Sequence, residues 1–336
     1  MATYNTELSR NGPGALIHDI QSGDDAQVQA VIAIIAHAAP DVVLLQGIDH
    51  DAAGAALDAL AEGLARAGHP YPHRLALRPN SGLRTGLDHD GDGRSDGPRD
   101  AQGYGEFTGQ GGMALLSRHP LGEVRDFSGL LWADLPGATL PRVGGQLFPD
   151  AALYQHQRLS NVAHWDVPVL VGDRALHMLA FHATPPVFDG PEDRNGLRNR
   201  DELRLWQLYL DGALGAEPPG DFVIVGDANI DPADGDGLSD AIQQLLADPR
   251  ITDPRPQGVG SVGAANADHH GDPALDTADF DDPAPGNLRV DYVLPAARLP
   301  VAAAGVVWPA PDDPLSDTAR MASRHHLVWV DLVLDR

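Results

Sequence analysis

The sequence predicts an α/β fold, and three observations carry that prediction. Apolar segments of strand length alternate with segments of helical periodicity along the chain. Apolar residues make up 43% of the 336 positions, enough for a large core, and no long charged or low-complexity stretch divides them. The clearest strand, Val223-Ile-Val-Gly226, runs straight into polar residues at its C-terminal end, where α/β folds bind ligands. One domain over residues 1–336 is expected, with long acidic inserts near 79–110, 183–196 and 231–288.

Ala2-Thr3-Tyr4-Asn5-Thr6 reads as an opening strand. Val28, Val31, Ile32, Ile35 and Ala39 then follow helical spacing over 24–38, with Asp24 or Asp25 available as a cap. Asp41 to Gln46 is a buried strand, 51–67 an Ala/Leu helix, and 71–78, 112–117, 162–171 and 175–181 are short strands. Helix 197–211 carries Leu203, Leu205, Trp206, Leu208 and Tyr209 on core spacing and precedes strand 221–226. Strands at 290–294, 301–307 and 327–334 complete the pattern. Polar connections as long as those at 79–110, 133–150, 183–196 and 253–288 are usually functional or disordered.

Composition removes several chemistries. All 23 basic residues are Arg, against 41 Asp and 7 Glu, giving a formal charge of −25. Without Lys there is no Schiff base and no phosphate-loop lysine; without Cys there is no thiol nucleophile, thiolate metal site or disulfide. The acidic field repels polyanions, so a stable, tight nucleic-acid complex is not expected, although hydrolysis of a phosphoester is not forbidden. No stretch is long and apolar enough to span a membrane. A strand directly after Met1 is compatible with an exported protein trimmed of its signal, and hence with a secreted or periplasmic setting. The sequence leaves the oligomeric state open.

Asp227 and Asn229 are delivered two residues apart at a strand edge, a spacing that lets a carboxylate and an amide share a phosphate and its attacking water. An ordinary polar turn would also use these residue types. His182 ends the strand beginning near Leu176, Asn5 ends the first strand, Asp291 lies in Arg289-Val-Asp-Tyr, and His325 opens the last strand. In a second constellation, Asp88, Asp90, Asp92 and Asp96 stand at positions one, three, five and nine of a loop with Gly93 at six, close to a calcium-loop pattern, although Arg99 stands where the closing Glu belongs. Asp231, Asp234 and Asp236 form a weaker acidic group of the same kind. The segments around His164 and over 184–195 lie beside the His182 strand and are candidates for shaping substrate access, with Arg158, Arg194 and Arg198 as candidate phosphate contacts.

With those motifs in this order, together with Gly111-Gly-Met-Ala-Leu-Leu-Ser-Arg118 and the terminal Ser323-x-His325, the chain resembles the endonuclease/exonuclease/phosphatase superfamily over nearly its whole length. The resemblance implies a four-layered α-β-β-α sandwich built on two packed mixed sheets, with the site at one edge. It implies that Asp227 activates or orients water, that Asn229 holds the phosphate, that His182 stabilises its charge, and that Asp291 orients His325 for acid/base or phosphate work. It further implies a divalent cation, Mg²⁺ or Mn²⁺. Two departures stand out. Members usually carry a metal-binding Glu directly after Leu-Gln, where this chain has Gly47, and a carboxylate before the terminal His, where it has Arg324. Strand alternation nominates Asp49 as the substitute, with Glu106 and Gln110 as weaker candidates; Asn5, Asp227 and Asn229 are the fellow ligands, and Arg324 and Arg194 are phosphate contacts. The expected activity is cation-dependent hydrolysis of a phosphodiester, nuclease-like or small. The alternatives are a phosphomonoesterase of the same fold and a noncatalytic, calcium-stabilised binding protein.

Overall fold

The computed structural model describes residues 1–334. The chain opens with β1 (Ala2–Asn5), α1 (Ala15–Ser22), α2 (Ala26–Ala38), β2 (Val42–Ile48), α3 (Ala55–Arg66), β3 (His73–Leu75) and β4 (Gly112–Ser117). After β5 (Arg125–Asp126) and a small ribbon of β6 (Arg142–Val143) and β7 (Gln146–Leu147) come the long antiparallel strands β8 (Ala163–Val171) and β9 (Arg174–His182). Then follow α4 (Arg194–Leu210), β10 (Phe222–Asp227), α5 (Asp240–Leu246) and α6 (Val259–Gly263), and a second ribbon of β11 (Ala278–Asp279) and β12 (Asn287–Leu288). The chain closes with β13 (Asp291–Pro295), β14 (Val301–Val306), α7 (Ser316–Ala322) and β15 (Val328–Leu332).

Two large mixed sheets result, ordered β14-β15-β1-β2-β4-β3 and β13-β10-β9-β8-β5. Period-two alternation explains how they stack. Val42 and Leu44 of β2 join the core between the sheets, with Val167, Met178 and Val225 from the opposite side. Val43 and Leu45 point the other way, into a second core with Val28, Val31, Ile35 and Leu60 of the outer helices. Leu203, Trp206, Ile242 and Leu245 of α4 and α5 cover the outer face of the second sheet. This is the expected α-β-β-α sandwich.

Most elements start within three residues of their sequence limits, and the shifts have local causes. Helix α2 begins at Ala26 because the Asp25 carboxylate accepts the Val28 N–H at 2.8 Å. Strand β2 runs on to Ile48 through a bulge at Gly47, where φ is +66° and the pairing with β4 slips between Gln46 and Ile48. The polar connections at 133–150 and 253–288 contain the two ribbons and α6, and α1, α5 and α7 are additions that the sequence pattern does not announce.

Candidate active site

Register alone brings three of the expected residues together. Strands β9 and β10 are parallel and pair Asp227 with His182, while antiparallel β13 pairs Asp227 with Asp291, so the three stand side by side on adjacent strands. Gly226 makes this close approach possible: a Cβ there would lie 2.0 Å from the Phe181 carbonyl oxygen. Past the strand end the chain turns tightly. Asn229 sits at φ 52°, its N–H donates to Asp227 Oδ1 at 2.8 Å, and its side-chain amide donates to the Ala183 carbonyl at 3.0 Å.

The other sheet supplies the rest. Asn5, at the end of β1, donates from Nδ2 to Asp227 Oδ2 at 2.9 Å, a contact that bridges the two sheets. His325 approaches just before β15, and its Nδ1 donates to Asp291 Oδ2 at 2.9 Å. The same carboxylate oxygen accepts the Thr277 hydroxyl at 2.9 Å, and Thr277 Oγ1 accepts the N–H groups of Val290 and Asp291 at 3.0 Å. Thr277 therefore fixes the orienting carboxylate, a role with no signature in the sequence. The His182 Nε2 lies 3.5 Å from Asp227 Oδ2.

These contacts give the two histidines opposite charge states at neutral pH. Burial alone would lower the His325 pKa, but Asp291 and then Asp227 outweigh it and push it up to about 9. At His182 burial prevails over the attraction of Asp227, and the pKa falls. Asp227 itself is raised, by burial first and by Asp291 second. The site thus holds a charged imidazole beside Asp291 and a neutral one beside Asp227.

The two family departures are structurally linked to a residue that the sequence reading passed over. Arg324 is not free: its Nε donates to Glu7 Oε1 at 2.8 Å, its Nη2 contacts the same oxygen, and its backbone N–H donates to Glu7 Oε2 at 2.8 Å. Glu7 also accepts from Ser323 Oγ at 3.1 Å, and it sits in the left-handed region at φ 48°. The space beside Gly47 is filled: a Cβ there would meet Asn5 Oδ1 at 2.4 Å and the Glu7 nitrogen at 3.0 Å. Asp49 accepts the N–H groups of Arg10 and Gly111, both at 2.9 Å, and lies outside the cluster in which Asp227, Asp291 and His325 bring their ligand atoms within 4.8 Å of one another.

A cleft of about 830 Å³ opens from His182 and is lined by Arg99, Tyr104, Thr184, Phe188 and Arg194. Asp90 lines it too, which places the acidic loop against the site. In that loop Asp88, Asp90 and Asp100 bring carboxylate oxygens within 4.8 Å of one another, whereas Asp92 accepts the Arg94 N–H and Asp96 pairs with Arg94 on the surface. The buried Asp100 was not legible as a partner, because it stands one residue beyond the last position of the calcium-loop pattern. The structure does not bring His164 to the cleft. Its ring is fully buried against Phe181 and Trp206, with Nδ1 on Ser160 Oγ at 2.7 Å and Nε2 on the Glu202 carbonyl at 3.2 Å. Asp231 and Asp234 bond loop N–H groups and join no three-ligand cluster among the described residues.

The arrangement can polarise a water with a buried carboxylate, donate a proton or a strong hydrogen bond from His325, and present an amide and a neutral imidazole to an oxyanion. Several solved structures share the fold. An endonuclease/exonuclease/phosphatase from Beutenbergia cavernae is 21% identical, with 99% of this chain and 70% of that one covered and a TM-score of 0.56. Sphingomyelinase C from Streptomyces griseocarneus is 19% identical, with coverage of 98% and 97% and a TM-score of 0.53. A mannosyl-6-phosphatase from Bacteroides thetaiotaomicron is 14% identical, with coverage of 99% and 98% and a TM-score of 0.52. At such identities the likeness is one of fold. No curated protein matches the chain by sequence. The family model for the endonuclease/exonuclease/phosphatase family matches residues 2–325, a span that runs from the first strand to the terminal histidine. By that match the chain belongs to the endonuclease/exonuclease/phosphatase family.

Proposed function

We propose that the protein is a divalent-cation-dependent phosphoesterase that hydrolyses a phosphodiester. The observation that carries this reading is the Asn5–Asp227 contact, which closes the two sheets around a carboxylate flanked by one neutral and one charged histidine. Asp227 orients the attacking water and takes its proton. The second N–H of the Asn229 amide and the ring of His182 meet the nonbridging oxygens of the phosphate. His325, kept protonated by Asp291, donates to the phosphate or to the departing oxygen.

The donor set fits a hard cation. Asp227 and Asp291 are fully buried carboxylates, and Asp291 Oδ1 is buried without any hydrogen-bond partner, an arrangement that is costly unless a positive group faces it. Mg²⁺ or Mn²⁺ held by Asp227, Asp291 and Asn5 would supply charge neutralisation at the phosphate oxygens. As placed, Asn5 turns its amide nitrogen toward Asp227 and its Oδ1 toward the Glu7 N–H, so it ligates through oxygen only after its amide turns. The Asp88, Asp90 and Asp100 cluster is assigned a structural Ca²⁺.

The test compares bis-(p-nitrophenyl) phosphate with p-nitrophenyl phosphate in Mg²⁺, Mn²⁺, Ca²⁺ or chelator. Faster turnover of the diester, abolished by chelator, is the expected result. Preference for the monoester would reassign the protein as a phosphomonoesterase, and no turnover under any condition would leave the noncatalytic binding protein.

A further inference from the structure

Three arginines are buried among the described residues, and they differ in one respect. Arg289 is ion-paired with Asp253 at 2.6 Å, whereas Arg194 and Arg198 have no ion-paired carboxylate. Both line the cleft that opens from His182. Arg198 is fixed by backbone carbonyls, donating to Leu159, Gln102 and Ser160 at 2.6 to 3.0 Å. Arg194 is almost unspent. The side chain of this residue, 8% exposed, makes a single 3.4 Å hydrogen bond, to the neutral Oε1 of Gln157. A buried guanidinium with unused donors and no ion-paired carboxylate is costly, and that cost is offset when an anion enters.

The carboxylates on the same wall, Asp90, Glu192 and Asp189, attract Arg194 through space, but none is ion-paired with it. Asp90 accepts the Asp92 N–H at 3.3 Å and Glu192 accepts the Gly190 N–H at 3.1 Å, while Asp189 accepts the Asn195 N–H, so each is held by its own loop. The exposed Arg99 adds a further guanidinium without an ion pair. In a chain of net charge −25, arginines without ion pairs gathered in one cleft are not what surface neutralisation would produce. That net charge also works against a polyanionic macromolecule, and a cleft of about 830 Å³ suits a small organic molecule.

We propose that Arg194, with the fixed charge of Arg198 and the exposed Arg99, forms a subsite for a second anionic group, so that the substrate is a small organic phosphoester carrying an additional phosphate. The inference rests on the phosphoesterase reading above. It is tested with linear alkanediol bisphosphates of increasing length, the matched monophosphates, and p-nitrophenyl diesters with and without a terminal phosphate. The wild-type protein should prefer the doubly phosphorylated member of a pair in kcat/KM at one favoured chain length. In Arg194→Gln that preference should fall about 10- to 100-fold, the scale of one charge-assisted hydrogen bond pair, with Arg194→Lys intermediate. Arg99→Gln, a surface change that spares folding, should lower it by a smaller factor. Hydrolysis without preference, or a preference that survives Arg194→Gln, overturns the inference while leaving the phosphoesterase standing. If no ester of either kind is cleaved, the phosphoesterase reading fails, and direct titration with the bisphosphates decides the subsite: binding lost in Arg194→Gln upholds it, and no binding overturns it.

Discussion

Replacing Asp291 by Asn should strip His325 of its charge at neutral pH. In the native site burial pulls the His325 pKa down, and Asp291, with help from Asp227, drives it to about 9 from an ordinary 6.5. Asp291 is fully buried and lies 2.9 Å from Nδ1, so little solvent screens the pair. Because the folded value exceeds the unfolded one, the proton on His325 contributes stability that is fully present below pH 6.5 and is lost as the pH rises through about 9. At about 1.4 kcal/mol for each pKa unit, that contribution is about 3 kcal/mol. With Asn at 291 the dominant burial effect is opposed only by Asp227 and, more weakly, by Glu7, so the pKa drops and the alkaline loss of stability shrinks. Urea unfolding in chelator, across the interval from 6.5 to 9, measures the stability change, and ¹⁵N NMR of the imidazoles follows His325 directly. A His325 that titrates near 6.5 in the wild type, or whose pKa is unmoved in Asp291→Asn, would refute the pairing.

Asp227→Asn and His325→Ala should each lower kcat by about 10²- to 10⁴-fold with the fold retained by circular dichroism, the usual range for losing an acid or a base; wild-type turnover in both would displace the site. Replacing Asp88, Asp90 and Asp100 together by Asn should abolish calcium-induced thermal stabilisation, and an unchanged melting shift would show that the loop does not bind the ion. Gly47→Glu, which writes back the family's residue, should destabilise the protein by about 1–3 kcal/mol and should not tighten Mg²⁺ or Mn²⁺ activation. A variant with wild-type melting and tighter metal would show that the bulge is plastic.

What the sequence made legible follows from what strands encode locally. Strand β4 has its expected limits, 112–117, because an apolar run between glycines and a polar turn leaves little choice of boundary. Asn5, His182 and Asp227 were legible for the same reason, since a strand delivers its last side chain to a predictable edge, whereas Asp291, which opens β13, was legible only through its motif. Helices α1 and α7 were not. The first buries only Leu16 and Ile20, the second only Ala319 and Ala322, too few or too small to write a hydrophobic period. Helix α4 begins at Arg194 rather than 197 because Asp193, at φ 52°, turns the chain into it. Glu7, Thr277 and Asp100 were hidden because their importance lies in contacts rather than in motifs: Glu7 meets Arg324 across 317 positions. Alternation nominated Asp49, but alternation counts through regular strand, and the bulge at Gly47 intervenes.

The two departures from the family pattern can be read as one rearrangement. A side chain at 47 is barred by Asn5 Oδ1 at 2.4 Å and by the backbone of Glu7, so the vacated volume has been taken by the neighbouring strand end, not left open. That same strand end carries Glu7 to Arg324, where two guanidinium contacts and a backbone N–H hold it. Arg324 brings a positive charge to the place where relatives have a carboxylate, and Glu7 brings a negative charge back, so the pair leaves the local balance near that of an uncharged substitution. What changes is direction: the Glu7 carboxylate faces Ser323 and Arg324 instead of joining Asp227 and Asp291. A cation at this site therefore meets fewer carboxylates than the family pattern supplies, and Asp291 Oδ1, the buried oxygen without a partner, becomes the ligand with most to gain from it. Under the proposed reading, activation should in consequence require more metal than the unaltered ligand set would, and the cleft arginines, rather than Arg324, would grip the substrate's anionic groups.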